Sequence, residues 1–142
     1  MKKRNIPGIT LLLLLTLTII LAFSGCATSE DPAGEEAPTV MNLSAEQGKA
    51  MMDEDPTIIL VDVRTQEEYI EEHIPGALLV PVDELESLAP EMIPDKEATY
   101  IIYCRSGNRS ATAAQQLIEL GYQNIYDMGG IIDWPYETQA GS

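Results

Sequence analysis

The chain has 142 residues, the length of one domain, and carries 23 acidic against 8 basic residues for a formal charge of −15 at pH 7. That imbalance argues against nucleic acid as a partner, because binding it takes Lys and Arg gathered on one face. A hydrophobic fraction of 45% argues against wholesale disorder, and two cysteines with a single histidine, His73, give no zinc-ligand spacing and no Ser-His-Asp hydrolase.

The first element is Lys2, Lys3 and Arg4, followed by the uncharged run ITLLLLLTLTIILAF from Ile9 to Phe23. Fifteen residues make roughly 22 Å of helix, short of a hydrocarbon core of about 30 Å. A basic start and an apolar run of this length predict a signal peptide over residues 1–25. The alternative is a true membrane anchor, lengthened by Ser24, Gly25 and Ala27. Ser24-Gly25-Cys26 resembles the cleavage box of bacterial lipoproteins. The resemblance implies cleavage before Cys26, lipidation of Cys26, and an exported chain anchored to the bacterial cell membrane by more than one acyl chain.

Residues 26–40 are rich in Ser, Pro, Gly and Glu and poor in large apolar side chains, which predicts a flexible acidic tether. Without residues 1–25 the chain keeps five basic residues, Lys49, Arg64, Lys96, Arg105 and Arg109, against 23 acidic ones, for −18. Two of the five follow Cys104 within five positions. A Cys26–Cys104 disulfide is arithmetically possible, but the surroundings of the two residues argue against it.

A folded domain is expected over 41–139. Ser44 is a candidate N-cap for a helix whose face holds Ala45, Ala50 and Met51. TIILVDVR is a buried strand after Pro56. Thr65 with Glu68 three residues on is a capping box opening a short helix. HIPGALLVPV gives a Pro-Gly turn and a brief strand. DELESLAPEMIP gives one or two helical turns, broken at Pro90 and Pro94. ATYIIYC is a second buried strand, Ser110 to Gly121 an amphipathic helix, NIYDM a further strand, and GGIIDW a turn into a last helical piece. Strands alternating with helices predict a parallel sheet covered on both faces, with the ligand site at the strands' carboxyl ends.

Cys104 stands at such an end, in YCRSGNRSA. A thiolate rather than a thiol is the nucleophile, and a helix N-terminus or neighbouring Arg lowers a thiol from about 8.5 toward roughly 3.5–7.5. Gly107 permits positive φ, so that successive N–H groups can turn inward as an anion nest. Ser106, Asn108 and Ser110 add hydrogen-bond donors, and Arg105 and Arg109 add charge. The expected site is a cradle for an ionised sulfur with no general base. Asp62 and Arg64 end the neighbouring strand, either supporting the loop or capping the strand end as an ion pair. His73 reads as a structural hydrogen-bonder, Trp134 as core, and Glu67-Glu68 with Glu71-Glu72 as a solvated face.

CRSGNRS resembles the active-site loop of single-domain rhodaneses, whose sulfurtransferase form spans six residues, as Cys104 to Arg109 does. Asp62, Arg64, Glu68, Tyr69, His73, Ile74, Gly76 and Ala77 match a second motif of that family, and Gly129, Gly130 and Trp134 its closing motif. Glu72 stands where the family often has Gly, a position that would need another turn if it required positive φ, and Leu79 stands where it often has Asn. The resemblance implies a three-layer α/β/α domain around a five-stranded parallel sheet. It implies that Cys104 takes a sulfane sulfur from a small anionic donor such as thiosulfate as a persulfide and passes it to a thiol-type acceptor. Residues 105–110 would bind the donor, with no metal and no cofactor, in a monomer.

Two rivals remain. A phosphatase or arsenate reductase with Cys-x5-Arg needs Arg at position 110, where Ser110 stands. A persulfide carrier or sulfide-sensing module would keep the chemistry of Cys104 with little turnover.

Overall fold

Residues 37–141 are described by a computed structural model. The expected signal peptide over 1–25, Cys26 and residues 26–36 of the expected tether lie outside the described residues. Five strands run in parallel in the order β1-β5-β4-β2-β3: β1 Met41–Asn42, β2 Ile59–Asp62, β3 Leu78–Leu79, β4 Thr99–Cys104 and β5 Asn124–Gly130. Among the described residues four α-helices accompany them: α1 Ala45–Glu54, α2 Gln66–Glu71, α3 Leu85–Met92 and α4 Asn108–Glu119. Short 3-10 turns sit at Val82–Glu84 and Ile131–Asp133. No helix among the described residues is long and apolar enough to cross a membrane.

The period-two alternation of β4 divides the core. Tyr100, Ile102 and Cys104 pack with Ala113, Ala114 and Leu117 of α4 and Leu85 and Ala89 of α3. Ile101 and Tyr103 face the other way, with Met128, Ile74 and the half-buried Met51, Met52 and Tyr69 of α1 and α2. The sheet therefore lies between two helical layers, as expected. Each fully buried residue such as Val61 or Ile102, at 0% exposure, contributes about 1.5–3 kcal/mol by leaving water. The same alternation puts the Cys104 side chain on the α4 side.

Both expected N-caps form. The Ser44 hydroxyl accepts from the Gln47 N–H, and Thr65 from that of Glu68, each in a reciprocal capping box. Three local expectations need correction. The buried stripe of α1 runs through Ala45 and Gly48 rather than Ala50, which is exposed. Gly48 belongs there because a Cβ would lie 2.5 Å from Met128 Sδ. Pro90 does not break α3 but sits inside it. Its missing N–H leaves the Glu86 carbonyl unpaired, yet both residues are on the exposed face, where water can take that bond. Helix α4 begins at Asn108, two residues before Ser110, and this shift shapes the site.

Candidate active site

Strand β4 ends at Cys104, and α4 begins four residues later. Gly107 makes the junction as the N-cap at φ +98°, a conformation that costs a side-chain-bearing residue dearly. It also carries no side chain to cap the helix. The first-turn N–H groups of α4 are thus left for another acceptor, and Ser110, in that turn, presents one of them.

The sulfur of Cys104 is that acceptor. The Gly107 N–H lies 3.1 Å from Sγ. Cys104 is 1% exposed, and burial alone would push its thiol up. The N–H and hydroxyl of Ser110, with the N–H groups of Gly107 and Ser106, outweigh burial and hold it below its ordinary value. The largest of these contributions come from neutral dipoles on the backbone and one hydroxyl, and the Arg109 guanidinium adds a weaker Coulombic attraction. Ser110 is fully buried, and its hydroxyl also lies 2.9 Å from the Gly107 carbonyl and 3.2 Å from that of Gly129. Its single proton can therefore rotate between the loop and the sulfur.

The two loop arginines part company. Arg109 makes a bidentate pair with Glu68, Nη1 to Oε2 at 2.6 Å and Nη2 to Oε1 at 2.8 Å, which ties α2 to the start of α4. Arg105 is exposed and opens onto the cleft beside the loop. Ser106 and Asn108 are also exposed. The Arg109 contact holds the Glu68 carboxyl at about 2, against an ordinary 4.5, despite its partial burial. A depressed carboxylate stabilises the fold fully above its unfolded value and loses that contribution as pH falls through the folded one. The gap in melting temperature between the native chain and Glu68→Gln is therefore expected at about pH 6 and should close between about pH 4.5 and 2. A gap that persists at the acid end would show that Glu68 acts otherwise.

Asp62 and Arg64 form a buried pair, 0% and 4% exposed, with Nη2 2.6 Å from Oδ2. Arg64 Nη2 also donates to the Glu72 carbonyl at 2.6 Å, and its guanidinium stands 5.7 Å from the Tyr103 ring centre. The pair is a strut from the end of β2 to the end of α2, which is the ion-paired cap of the strand end. Glu72 is extended at φ −164°, so the place where Gly is frequent carries no strain here. His73 is buried, with Nδ1 2.7 Å from the Tyr69 carbonyl and Nε2 2.8 Å from the Gln139 amide nitrogen. Both nitrogens are engaged, as a structural role requires. Trp134 packs against the second core cluster and edge-on to Tyr136.

Two residues escape a reading of the sequence alone. Glu68 pairs with an arginine 41 positions away, and neither its place in the capping box nor its place in the second family motif names that partner. Gly130 lies opposite Cys104 in the β4–β5 register, and a Cβ there would strike the Arg105 carbonyl and lie 2.7 Å from Ser106 Cα. The adjacent glycines and the closing motif mark the position without naming the loop backbone it meets.

A cleft of about 250 Å³ opens at the carboxyl ends of the strands, lined by Arg64, Glu68, Glu71, Glu72, Arg105, Ile131 and Ile132. A larger groove of about 650 Å³, between Lys49, Met52, Ile74, Trp134 and Tyr136, includes none of the loop residues, whereas the smaller one includes Arg105.

A family model for the rhodanese-like domain matches residues 44–135. The chain is 37% identical over 73 residues to thiosulfate sulfurtransferase PspE of Escherichia coli (strain K12), covering 51% of this chain and 70% of that protein. It is 35% identical over 108 residues to putative sulfur carrier protein YrkF of Bacillus subtilis (strain 168), covering 75% of this chain and 57% of that one. Among solved structures it superposes on a rhodanese with anions from E. coli at a TM-score of 0.56 and 33% identity, over 59% of this chain and 99% of that one.

Proposed function

The chain belongs to the rhodanese-like domain family, and on that premise we propose that it is a thiosulfate-type sulfurtransferase whose working nucleophile is Cys104. The Cys104 thiolate attacks the outer sulfur of thiosulfate. The donor S–S bond breaks, sulfite leaves with the electron pair, and Cys104 carries a persulfide. An acceptor thiolate then attacks the terminal sulfur, and the Cys104 S–S bond returns its electrons to Cys104. Sulfur changes hands with no outside oxidant or reductant.

The observation that carries this reading is the Gly107 N–H 3.1 Å from Sγ, at the mouth of a helix N-terminus left open by a glycine cap. The N–H groups of Ser106, Gly107 and Ser110 hold the negative sulfur and then its persulfide. Asn108 and Arg109 frame the loop, Arg109 through its grip on Glu68. Asp62 and Arg64, paired at the end of the neighbouring strand, are read as support for the loop. Arg105 meets the anionic donor. Full-length protein incubated with thiosulfate should gain ~32 Da, one sulfur, on Cys104; an unmodified mass would sink the proposal.

Arg105 is the sole loop cation without an ion-pair partner among the described residues, so its charge acts on the donor. Arg105→Ala is expected to raise the thiosulfate KM about tenfold at low ionic strength and to leave kcat within about twofold. An unchanged KM would show that Arg105 does not attract the donor.

The match to a putative sulfur carrier protein, with Cys104 only 1% exposed, favours a second reading, a persulfide carrier with little turnover. A stable adduct that thiols fail to discharge would select it. For the N-terminus we read residues 1–25 as a signal peptide, Cys26 as the lipid attachment point on the cell membrane, and 26–40 as a tether to a monomeric domain. Palmitate labelling that survives Cys26→Ser would refute the anchor, and a dimer's mass by light scattering would refute the monomer.

A further inference from the structure

The cleft lined by Arg105, the residue that follows Cys104, has a charge balance of its own. Arg64 is neutralised by Asp62 and Arg109 by Glu68. That leaves one lining cation, Arg105, against two exposed lining carboxylates, Glu71 and Glu72. The far wall is apolar: Ile131, and Ile132 at 65% exposure. The Ile132 N–H donates to the Arg105 carbonyl at 3.3 Å, so this apolar lip is fastened to the loop that follows Cys104. A cleft with a net negative wall and an apolar lip suits a positively charged group on a short hydrocarbon stem. Around it lies a chain of −15, whose field repels any second anion.

We propose that the sulfur acceptor of this protein is a cationic thiol, a sulfhydryl with an ammonium or guanidinium group close by, and that Glu71 and Glu72 select it. The inference rests on the sulfurtransferase reading and names the partner for its second half. A persulfide on Cys104 keeps the negative charge of the thiolate it replaces. An approaching thiolate brings another, and a positive group on the same molecule, seated by Glu71 and Glu72, offsets that repulsion. The acceptor thiolate attacks the terminal sulfur, the Cys104 S–S bond breaks, and the acceptor leaves as a persulfide. The positive group is not consumed.

The test separates the two half-reactions. Full-length protein is loaded with thiosulfate or, should that fail, with polysulfide, and the adduct is confirmed by mass. Loss of the adduct is then timed with cysteamine, 2-mercaptoethanol and 2-mercaptoethanesulfonate, each rate corrected for its thiolate fraction. Cys-Lys-Lys and Cys-Glu-Glu peptides form the second arm. The expected order is cationic, neutral, anionic, with about tenfold between the ends at low salt and near-equality in ~0.5 M NaCl. Glu71→Gln is expected to shrink the ratio by about threefold, and Glu71→Gln with Glu72→Gln to abolish it. Cysteamine alone at the top of the order points to a small aminothiol, and the lysine peptide alone to a thiol on a basic protein; either supports the proposal. Equal corrected rates, an anionic thiol leading, or a ratio unmoved in the double variant overturns it while leaving the sulfurtransferase reading intact. Failure to load from either donor overturns both.

Discussion

Cys104→Ser is expected to lower thiosulfate-dependent sulfur transfer by at least ~10³-fold and to leave no persulfide on the protein. The replacement is nearly isosteric, and Cys104 is buried against α4. The hydroxyl can keep the bond from the Gly107 N–H that the sulfur now takes. The melting temperature should therefore move by no more than about 5 °C, under ~1 kcal/mol for a domain of this size. What is lost is the nucleophile. A serine hydroxyl stays protonated in this cradle, because no base stands beside it to take its proton, and oxygen has little affinity for a sulfane sulfur. Transfer that persists in Cys104→Ser would place the chemistry on another group.

Gly130→Ala is expected to be the most damaging change outside the reactive loop, lowering kcat/KM by about 10²-fold and stability by ~1–3 kcal/mol. The backbone of Gly130 is extended, φ −116° and ψ 142°, so alanine would meet no torsional strain. The damage comes from contact. The new methyl would strike the Arg105 carbonyl and lie 2.7 Å from Ser106 Cα and 2.9 Å from the Arg105 carbonyl carbon. All three atoms are backbone and cannot swing aside, so the loop itself must shift, and with it the N–H groups aimed at the sulfur. Gly129→Ala is the contrast. There a Cβ meets nothing within 4 Å, but φ is +82°, so the cost is conformational and falls on stability first. Wild-type kcat/KM in Gly130→Ala would show that the loop does not depend on this approach.

Much of the fold is legible in the residues because its signals are local. The capping boxes at Ser44 and Thr65 are each complete within four residues, and the alternation of TYIIYC assigns its own two faces. The loop is legible for the same reason: nucleophile, glycine and donors lie within seven consecutive positions. What escaped is what depends on distant partners. Nothing near Arg109 names Glu68, 41 residues earlier, so the arginine read as free charge when it is a brace. Nothing near Gly130 tells that the backbone of residues 105–106 fills the space above it. The sequence places the start of α4 at Ser110, whereas Gly107, with positive φ and no side chain, makes the junction and the helix starts at Asn108, two residues earlier. With α4 starting at Asn108, Ser110 lies inside the first turn, where its N–H and hydroxyl help to lower the Cys104 thiol.

The apportioning of roles in the loop follows from this. Neutral N–H groups hold the sulfur, Glu68 with Arg109 holds the helix that carries them, and Arg105 alone is left to meet the donor. Titrating the rate at which iodoacetamide alkylates Cys104 in the native chain and in Arg105→Ala tests that division most directly. Both proteins should show a midpoint well below the ~8.5 of a free thiol, and close to each other. A midpoint at or above that of a free thiol in the native chain, or one that rises to it once the Arg105 charge is removed, contradicts a sulfur held ionised by backbone N–H groups.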